Sequence, residues 1–223
     1  DKYKGKDTFT TFNEGFLFYL NLNFKVKSIA DKNVREALSY AINRKDLCDN
    51  ILKDGSQPAT GFVPAQLCKS PSGKDFREES GKYVDYDVKK AQEYLDAAKK
   101  ELGTDTITVD LLYGTDESPM DTMAEYLQGS FTKLKGLKVN MVATVKKDRI
   151  YNREANGNFQ VVCTRWGPDY ADPTTYLNLA TTDNSNNYGK YTNAKYDALM
   201  EQIQKESDLT KRWDLMKIGR AHV

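Results

Sequence analysis

Between residues 16 and 24 the chain reads FLFYLNLNF. Phe16, Phe18, Leu20, Leu22 and Phe24 recur at every second position, which predicts a strand with one strongly apolar face. The period then lengthens. In NVREALSYAINRKDL, Val34, Ala37, Leu38, Ala41 and Ile42 fall at helical spacing, with Asp31 or Asn33 placed to cap the start. Leu47, Ile51 and Leu52 carry a second short helical stretch toward Gly55, a natural stop. SQPATGFVPAQLCKSPSGKDF is rich in Pro, Gly and Ser and predicts a long loop, of the kind that binds something or crosses between domains.

The second half of the chain repeats one theme. Asp87 is placed to cap VKKAQEYLDAAKKELG, where Ala91, Leu95, Ala98 and Leu102 form the stripe and Gly103 the stop. ITVDLLY predicts a strand, and Ser118 with Pro119 a cap and first turn. The helix they open carries Met123, Leu127, Phe131 and Leu134 inward. KVNMVATV predicts the next strand, residues 147–155 a helix, and FQVVCTRW a buried strand. Strand, helix, strand, helix, strand is the pattern of βαβ units on a mostly parallel sheet flanked by helices, so the fold class is α/β, with α+β as the alternative. Two helices follow, one with Tyr196, Leu199, Met200 and Ile203 on its inner face and one starting near Asp208.

Charge and cysteine content narrow the function. The 33 basic residues are balanced by 32 acidic ones, which removes the electrostatic case for nucleic acid. No apolar run approaches the ~20 residues of a membrane span. The single histidine, His222, and the spacing of Cys48, Cys68 and Cys163 exclude a histidine triad or a zinc site, and no cofactor motif is present. Three cysteines allow one disulfide, for which Cys48 and Cys68 are a candidate pair, and leave at least one buried free thiol. The chain opens without a domain start and closes on IGRAHV, which breaks from what precedes it. We expect part of a longer protein, with residues 218–223 a foreign tail.

Candidate chemistry concentrates in TRWGPDYADPTTYL, residues 164–177, directly after a strand end. Ligands of open α/β sheets sit outside the carboxyl ends of strands. Trp166 offers a flat apolar face, Asp169 and Asp172 offer carboxylates, and Pro168 and Pro173 stiffen the backbone between them. These parts suit a cationic, partly apolar ligand. Asp169 can equally be structural, and for Asp172 a helix cap is the better role. TTDNSNNYGKYTN, which contains Asn187, carries side chains that hydrogen-bond uncharged polar groups, although turn formation accounts for most of it. Arg35 and Arg44 are expected to pair locally. An acid pair of glycosidase type needs two carboxylates facing each other across a bond, which an Ala-Asp-Pro turn gives no reason to expect. No catalytic residue is assigned.

NVREALSYAINRKDL, DYDVKKAQEYLDAAKKELG, RWGPDYADPTTYLNL and NNYGKYTNAKYDALMEQI, in this order, resemble the C-terminal half of an oligopeptide-binding lipoprotein. Such proteins are family 5 extracytoplasmic solute receptors of peptide-importing ABC transporters. The resemblance runs from about Phe16 to Leu215 and implies that residues 1–217 form one lobe of a two-lobed, monomeric receptor with a periplasmic-binding-protein-like fold. It implies an oligopeptide ligand held in strand-like fashion, with Asp169 taking its α-ammonium, Trp166 lining the cleft, and Arg165, Tyr170 and Asn187 beside them. The implied partners are the N-terminal lobe of the same protein and the importer's membrane permease subunits, outside the cytoplasm. Nickel complexes, haem and oligosaccharides are ligands of other members, some members present peptide pheromones, and a carboxylate-based hydrolase stays as the reading from a different class.

Overall fold

The computed structural model describes Gly5, Thr10 and residues 12–222. Most of the opening stretch DKYKGKDTFTTF and Val223 lie outside the described residues. Four strands form one sheet: β1 (Leu17–Leu22), β2 (Ile107–Gly114), β3 (Leu137–Thr144) and β4 (Val161–Trp166), in the order β1-β4-β2-β3. β2 runs parallel to both neighbours, Ile107 opposite Leu137 and Leu111 opposite Val161. β1 is an antiparallel edge, Tyr19 opposite Thr164. The fold is thus the expected α/β arrangement, a mostly parallel sheet with helices on its faces.

On the first face pack α1 (Lys32–Ala41), α2 (Val88–Leu102) and α3 (Met120–Phe131). Their starts and stops are local chemistry. Asp31 accepts hydrogen bonds from the Asn33 and Val34 backbone N–H groups, Asp87 accepts from Lys90 N–H, and Gly103 closes α2 at φ 68°. Val34, Ala37, Leu38, Ala91, Leu95 and Ala98 are buried against Val109, Leu111, Val161 and Cys163 of the sheet. The second face is covered by the turn α4 (Thr174–Leu177), by α5 (Ala194–Lys205) and α6 (Leu209–His222), and by the loop that carries Val63 and Phe76. Trp213 of α6 packs edge-on against Phe76 and donates its indole N–H to Glu79 at 2.6 Å. α6 continues through residues 218–222 as helix.

Several expectations change. β1 is not one-sided: Leu17, at 6% exposed, and Tyr19 pack on the second face while Phe18, Leu20 and Leu22 pack on the first. Phe16, at 43% exposed, and Phe24 lie beyond the strand ends. A strand in a sheet covered on both sides packs both of its rows against other elements. Ser118 does not cap α3; Pro119 precedes its first residue with no side-chain cap, and Glu117 O accepts from Met120 N–H at 2.7 Å. The helix face is Met120, Ala124, Leu127 and Phe131, with Met123 only half-buried.

The stretches 47–52 and 149–154 are π-helical turns rather than α-helix, the first ended by Lys53 in the left-handed region and not by Gly55. Leu47 and Cys48 are buried in the first of these turns, while Ile51 is exposed. All three cysteines are free thiols. Cys48 sits in the first π turn, Cys68 packs on the second-face core and Cys163 in the first-face core, so the candidate Cys48–Cys68 pair is not formed. Burial pushes the Cys68 and Cys163 thiols up to about 12, and the Asp172 charge adds to the rise at Cys68.

Candidate functional site at the carboxyl ends of the strands

β2, β3 and β4 end side by side, and three loops leave from those ends. After β4, Gly167 has no side chain, which lets the Phe16 ring lie against its backbone. Arg165 then stacks its guanidinium over Phe16 at 4.9 Å and Phe18 at 5.8 Å. It is half-buried and lines a groove of about 1490 Å³. Leu17 to Leu22 of β1, the 54–66 loop, Ser118 to Met120 and Asn187 line the same groove. Because β1 is the last strand on its side, the groove runs along a sheet edge that is unpaired among the described residues. That edge is closed at one end, where Phe24 N–H donates to Gly189 O at 2.8 Å.

The rest of the loop divides into a structural half and an open half. Asp172 accepts from the Thr174 N–H at 3.0 Å and Oγ1 at 2.6 Å, and takes a bidentate pair from Arg212 of α6 at 2.6 and 3.0 Å. Burial raises its pKa, but the Arg212 and Thr174 hydrogen bonds outweigh burial and hold the carboxyl below the usual carboxylate range. Asp172 is the capping residue that its place before Pro173 suggests, with a salt bridge the sequence does not reveal. Asp169 differs. Its backbone N–H donates to Thr175 Oγ1 at 3.0 Å, while its carboxylate is exposed and has no partner among the described residues.

Tyr170 is 47% exposed and borders a smaller pocket of about 300 Å³ that shares Asn13, Glu14, Ala65 and Gln66 with the groove. Trp166 is half-buried against Leu17 and the second-face core, and its indole N–H is buried without a partner among the described residues. Asp169 and Trp166 border neither hollow. Asn187 faces the groove, but its amide is engaged in its own loop: it donates to Thr181 O and Tyr191 O and accepts from Tyr191 N–H. The structure therefore brings Arg165, Trp166, Asp169 and Tyr170 to one strand end and gives Asn187 a loop-building role. Arg35 and Arg44 bond to nearby main-chain carbonyls, as expected.

Because the Asp172 carboxyl is held below its ordinary value, its contribution to stability is complete above the unfolded aspartate value near ~3.9 and is lost as pH falls through the folded one. The pair is partly exposed, so Asp172→Asn, which keeps an acceptor for Thr174, is expected to cost about 1 kcal/mol at pH 7. Asp172→Ala loses the cap as well and should cost about 2 kcal/mol. Urea midpoints at pH 7 and pH 3 check this: both deficits should shrink at pH 3, and equal deficits at the two pH values would remove the salt bridge from the account.

Sequence reasoning missed a buried ion cluster directly beneath this strand end. Arg149, in the turn after β3, donates through Nε and NH2 to Glu117 Oε2 at 2.9 and 2.8 Å. Its NH1 donates to Glu154 and, at 2.9 Å, to Thr164 Oγ1 of β4. Glu117 belongs to the loop after β2, so a single guanidinium ties together the ends of three strands. In an α-helix, residues 149 and 154 would point roughly 140° apart. The π turn at Arg149–Glu154, wound wider than that, carries the two side chains to one guanidinium–carboxylate pair. No helical spacing signals such a pair.

A family model described as bacterial extracellular solute-binding proteins, family 5 Middle, matches residues 1–188. The chain belongs to this family. Among its family-5 relatives, the dipeptide-binding protein of Lactococcus lactis subsp. cremoris is 37% identical over 172 residues, 77% of this chain and 31% of the relative. A solved peptide-binding protein of a peptide ABC transporter is 39% identical, with a TM-score of 0.87 and 93% of each chain covered. Listeria monocytogenes OppA bound to peptide is 34% identical, with a TM-score of 0.88, covering 98% of this chain and 42% of that one. The chain spans about a third of the length of the curated relatives it matches. The family is one of solute-binding transport receptors described as extracellular. Among the described residues no helix is long and apolar enough to cross a membrane.

Proposed function

We propose that this chain forms one wall of an extracytoplasmic oligopeptide-binding cleft, from which peptide is handed to the membrane permease subunits of an ABC importer. The observation that carries the reading is the open carboxylate of Asp169, exposed and unpaired beside Trp166 and Tyr170 at a strand end. A carboxylate in that state is available to a ligand's α-ammonium, whereas Asp172 is already engaged. The groove adds room and backbone. At about 1490 Å³ it exceeds the roughly 300–1,000 Å³ of small-molecule pockets, and an unpaired strand edge accepts an extended chain by strand addition. Relatives of the chain carry peptide-binding names, which supports the same ligand class.

In this reading Asp169 holds the amino terminus and Trp166 packs beside it. Tyr170 and Arg165 contribute to the wall, and Asn187 shapes the loop at its far end. Residues 1–217 act as the C-terminal lobe, the other wall comes from the N-terminal lobe of the same monomeric protein, and the chain carries out no reaction. Asp169 and Asp172 do not make an acid pair: a carboxyl held low by Arg212 and Thr174 is a poor general acid at neutral pH. Calorimetry on the intact two-lobed protein tests the proposal. A pool of tri- to pentapeptides should bind, and the same pool N-acetylated should bind at least ten-fold more weakly. Absence of peptide binding would transfer the groove to another solute.

A further inference from the structure

The buried cluster beneath the groove holds one guanidinium for two carboxylates. Arg149 and the side chain of Glu154 are each 2% exposed, and that of Glu117 is 3% exposed. Glu117 Oε1 is buried with no hydrogen-bond partner among the described residues, and Lys146 Nζ stands 3.7 Å from it on a half-exposed side chain. The groups facing Glu154 come from every element around it. They are Arg149 on its own turn, Glu117 after β2, Asn21 and Tyr19 on β1, and Tyr188 on the 181–193 loop. Only Arg149 among them is cationic. Three of the groups in contact with this cluster, Tyr19, Asn21 and Thr164, also line the groove. Thr164 and Trp166 stand on the same face of β4, two residues apart.

We infer that the Glu117–Arg149–Glu154 cluster is a proton-sensitive clamp on the end of β4: a proton taken up at Glu154 weakens its pull on Arg149 and shifts the Thr164–Trp166 segment that carries the open loop. Burial pushes the Glu154 carboxyl up to about 7, Arg149 and Asn21 pull it down, and the Glu117 charge adds to the rise. Both protonation states of Glu154 are therefore populated near neutral pH. A carboxyl raised in the folded state favours the protonated fold. Its contribution is complete below the unfolded glutamate value near ~4.3 and is lost as pH rises through about 7. Once protonated, Glu154 competes more weakly with Thr164 for the Arg149 NH1, and the hold on β4 changes without any change in the sheet register. The proton site and its link to Trp166 stand whichever solute the groove takes; only their use in tuning affinity rests on the peptide reading.

The test uses this chain alone and no ligand, so its failure is separate from failure of the peptide proposal. With the glutamate carboxyl carbons labelled with carbon-13, one carboxyl should titrate with a midpoint near 7 between pH 5 and 9, and this transition should vanish in Glu154→Gln. The Trp166 indole N–H resonance, assigned by Trp166→Phe, should move with the same midpoint while that of Trp213 stays within a few hundredths of a ppm. Thr164→Val guards against a Glu154 variant that does not fold: the midpoint should persist while the Trp166 displacement falls at least three-fold. If no glutamate titrates above pH 6, or the transition survives Glu154→Gln, the proton site is wrong. A Trp166 signal indifferent to the transition, or undiminished in Thr164→Val, overturns the clamp.

Discussion

Arg149→Met is expected to destabilise the domain by about 3–5 kcal/mol at pH 8, because it strands the buried carboxylates of Glu117 and Glu154 without their shared cation. For a chain of this size that is a fall in Tm of roughly 6–20 °C, and it removes a large share of the about 5–15 kcal/mol that keeps a domain folded. The loss should depend on pH. In the variant the Glu154 carboxyl, already raised by burial, loses the Arg149 charge and hydrogen bond that pull it down, so the folded state regains stability as pH falls and Glu154 is protonated. Thermal unfolding at pH 8 and pH 5 should show the larger deficit at pH 8. Replacing all three by apolar residues, Glu117→Leu, Arg149→Met and Glu154→Leu, should recover most of the deficit, since a buried ion network is worth little against well-packed hydrocarbon. A Tm change under 2 °C, or equal deficits at both pH values, would show that the cluster is not held as described.

The second large effect concerns binding and leaves stability alone. Asp169→Ala in the intact protein is expected to weaken peptide binding by ten-fold to a few thousand-fold. The lower bound corresponds to losing an ammonium–carboxylate hydrogen bond of about 1.5–3 kcal/mol. The upper bound corresponds to leaving the ammonium buried and unpaired, about 3–5 kcal/mol. N-acetylating the peptide removes the same interaction from the other side, so the two changes should not add. Because the Asp169 carboxylate is exposed and unpartnered among the described residues, the unfolding free energy from urea titration should change by no more than about 0.5 kcal/mol. Calorimetry and unfolding on the same preparation therefore separate a ligand contact from a structural acid. Fully additive losses, or unchanged affinity for free peptides, would take the α-ammonium away from Asp169.

Much of the candidate site was visible as composition. A tryptophan, two aspartates and two prolines after an apolar strand mark a strand-end loop, and the structure places Arg165, Trp166, Asp169 and Tyr170 there. Which aspartate was free was not legible, because it depends on Arg212, 40 residues further along the chain. Asn187 carries an amide suited to a polar ligand, yet that side chain is used to fold its own loop. The Arg149 cluster had no periodic signature at all. Its partners lie 32 and 15 residues away, or at a five-residue spacing that only a π turn brings to one point.

By itself, the sequence determined the elements whose causes are local. Asp31 and Asp87 satisfy N–H groups two or three residues ahead, Gly103 ends a helix by adopting a left-handed turn, and the 3.6-residue stripes of α1, α2 and α5 choose their buried faces. Tertiary structure decided what depends on groups distant in the chain: that β1 packs on both of its sides, that Glu117 rather than Ser118 shapes the start of α3, and that one guanidinium joins three strand ends. The physical reason is range. Capping and periodicity act within a turn of the chain, whereas a charge buried away from water must be answered by whichever opposite charge the fold brings within about 3 Å.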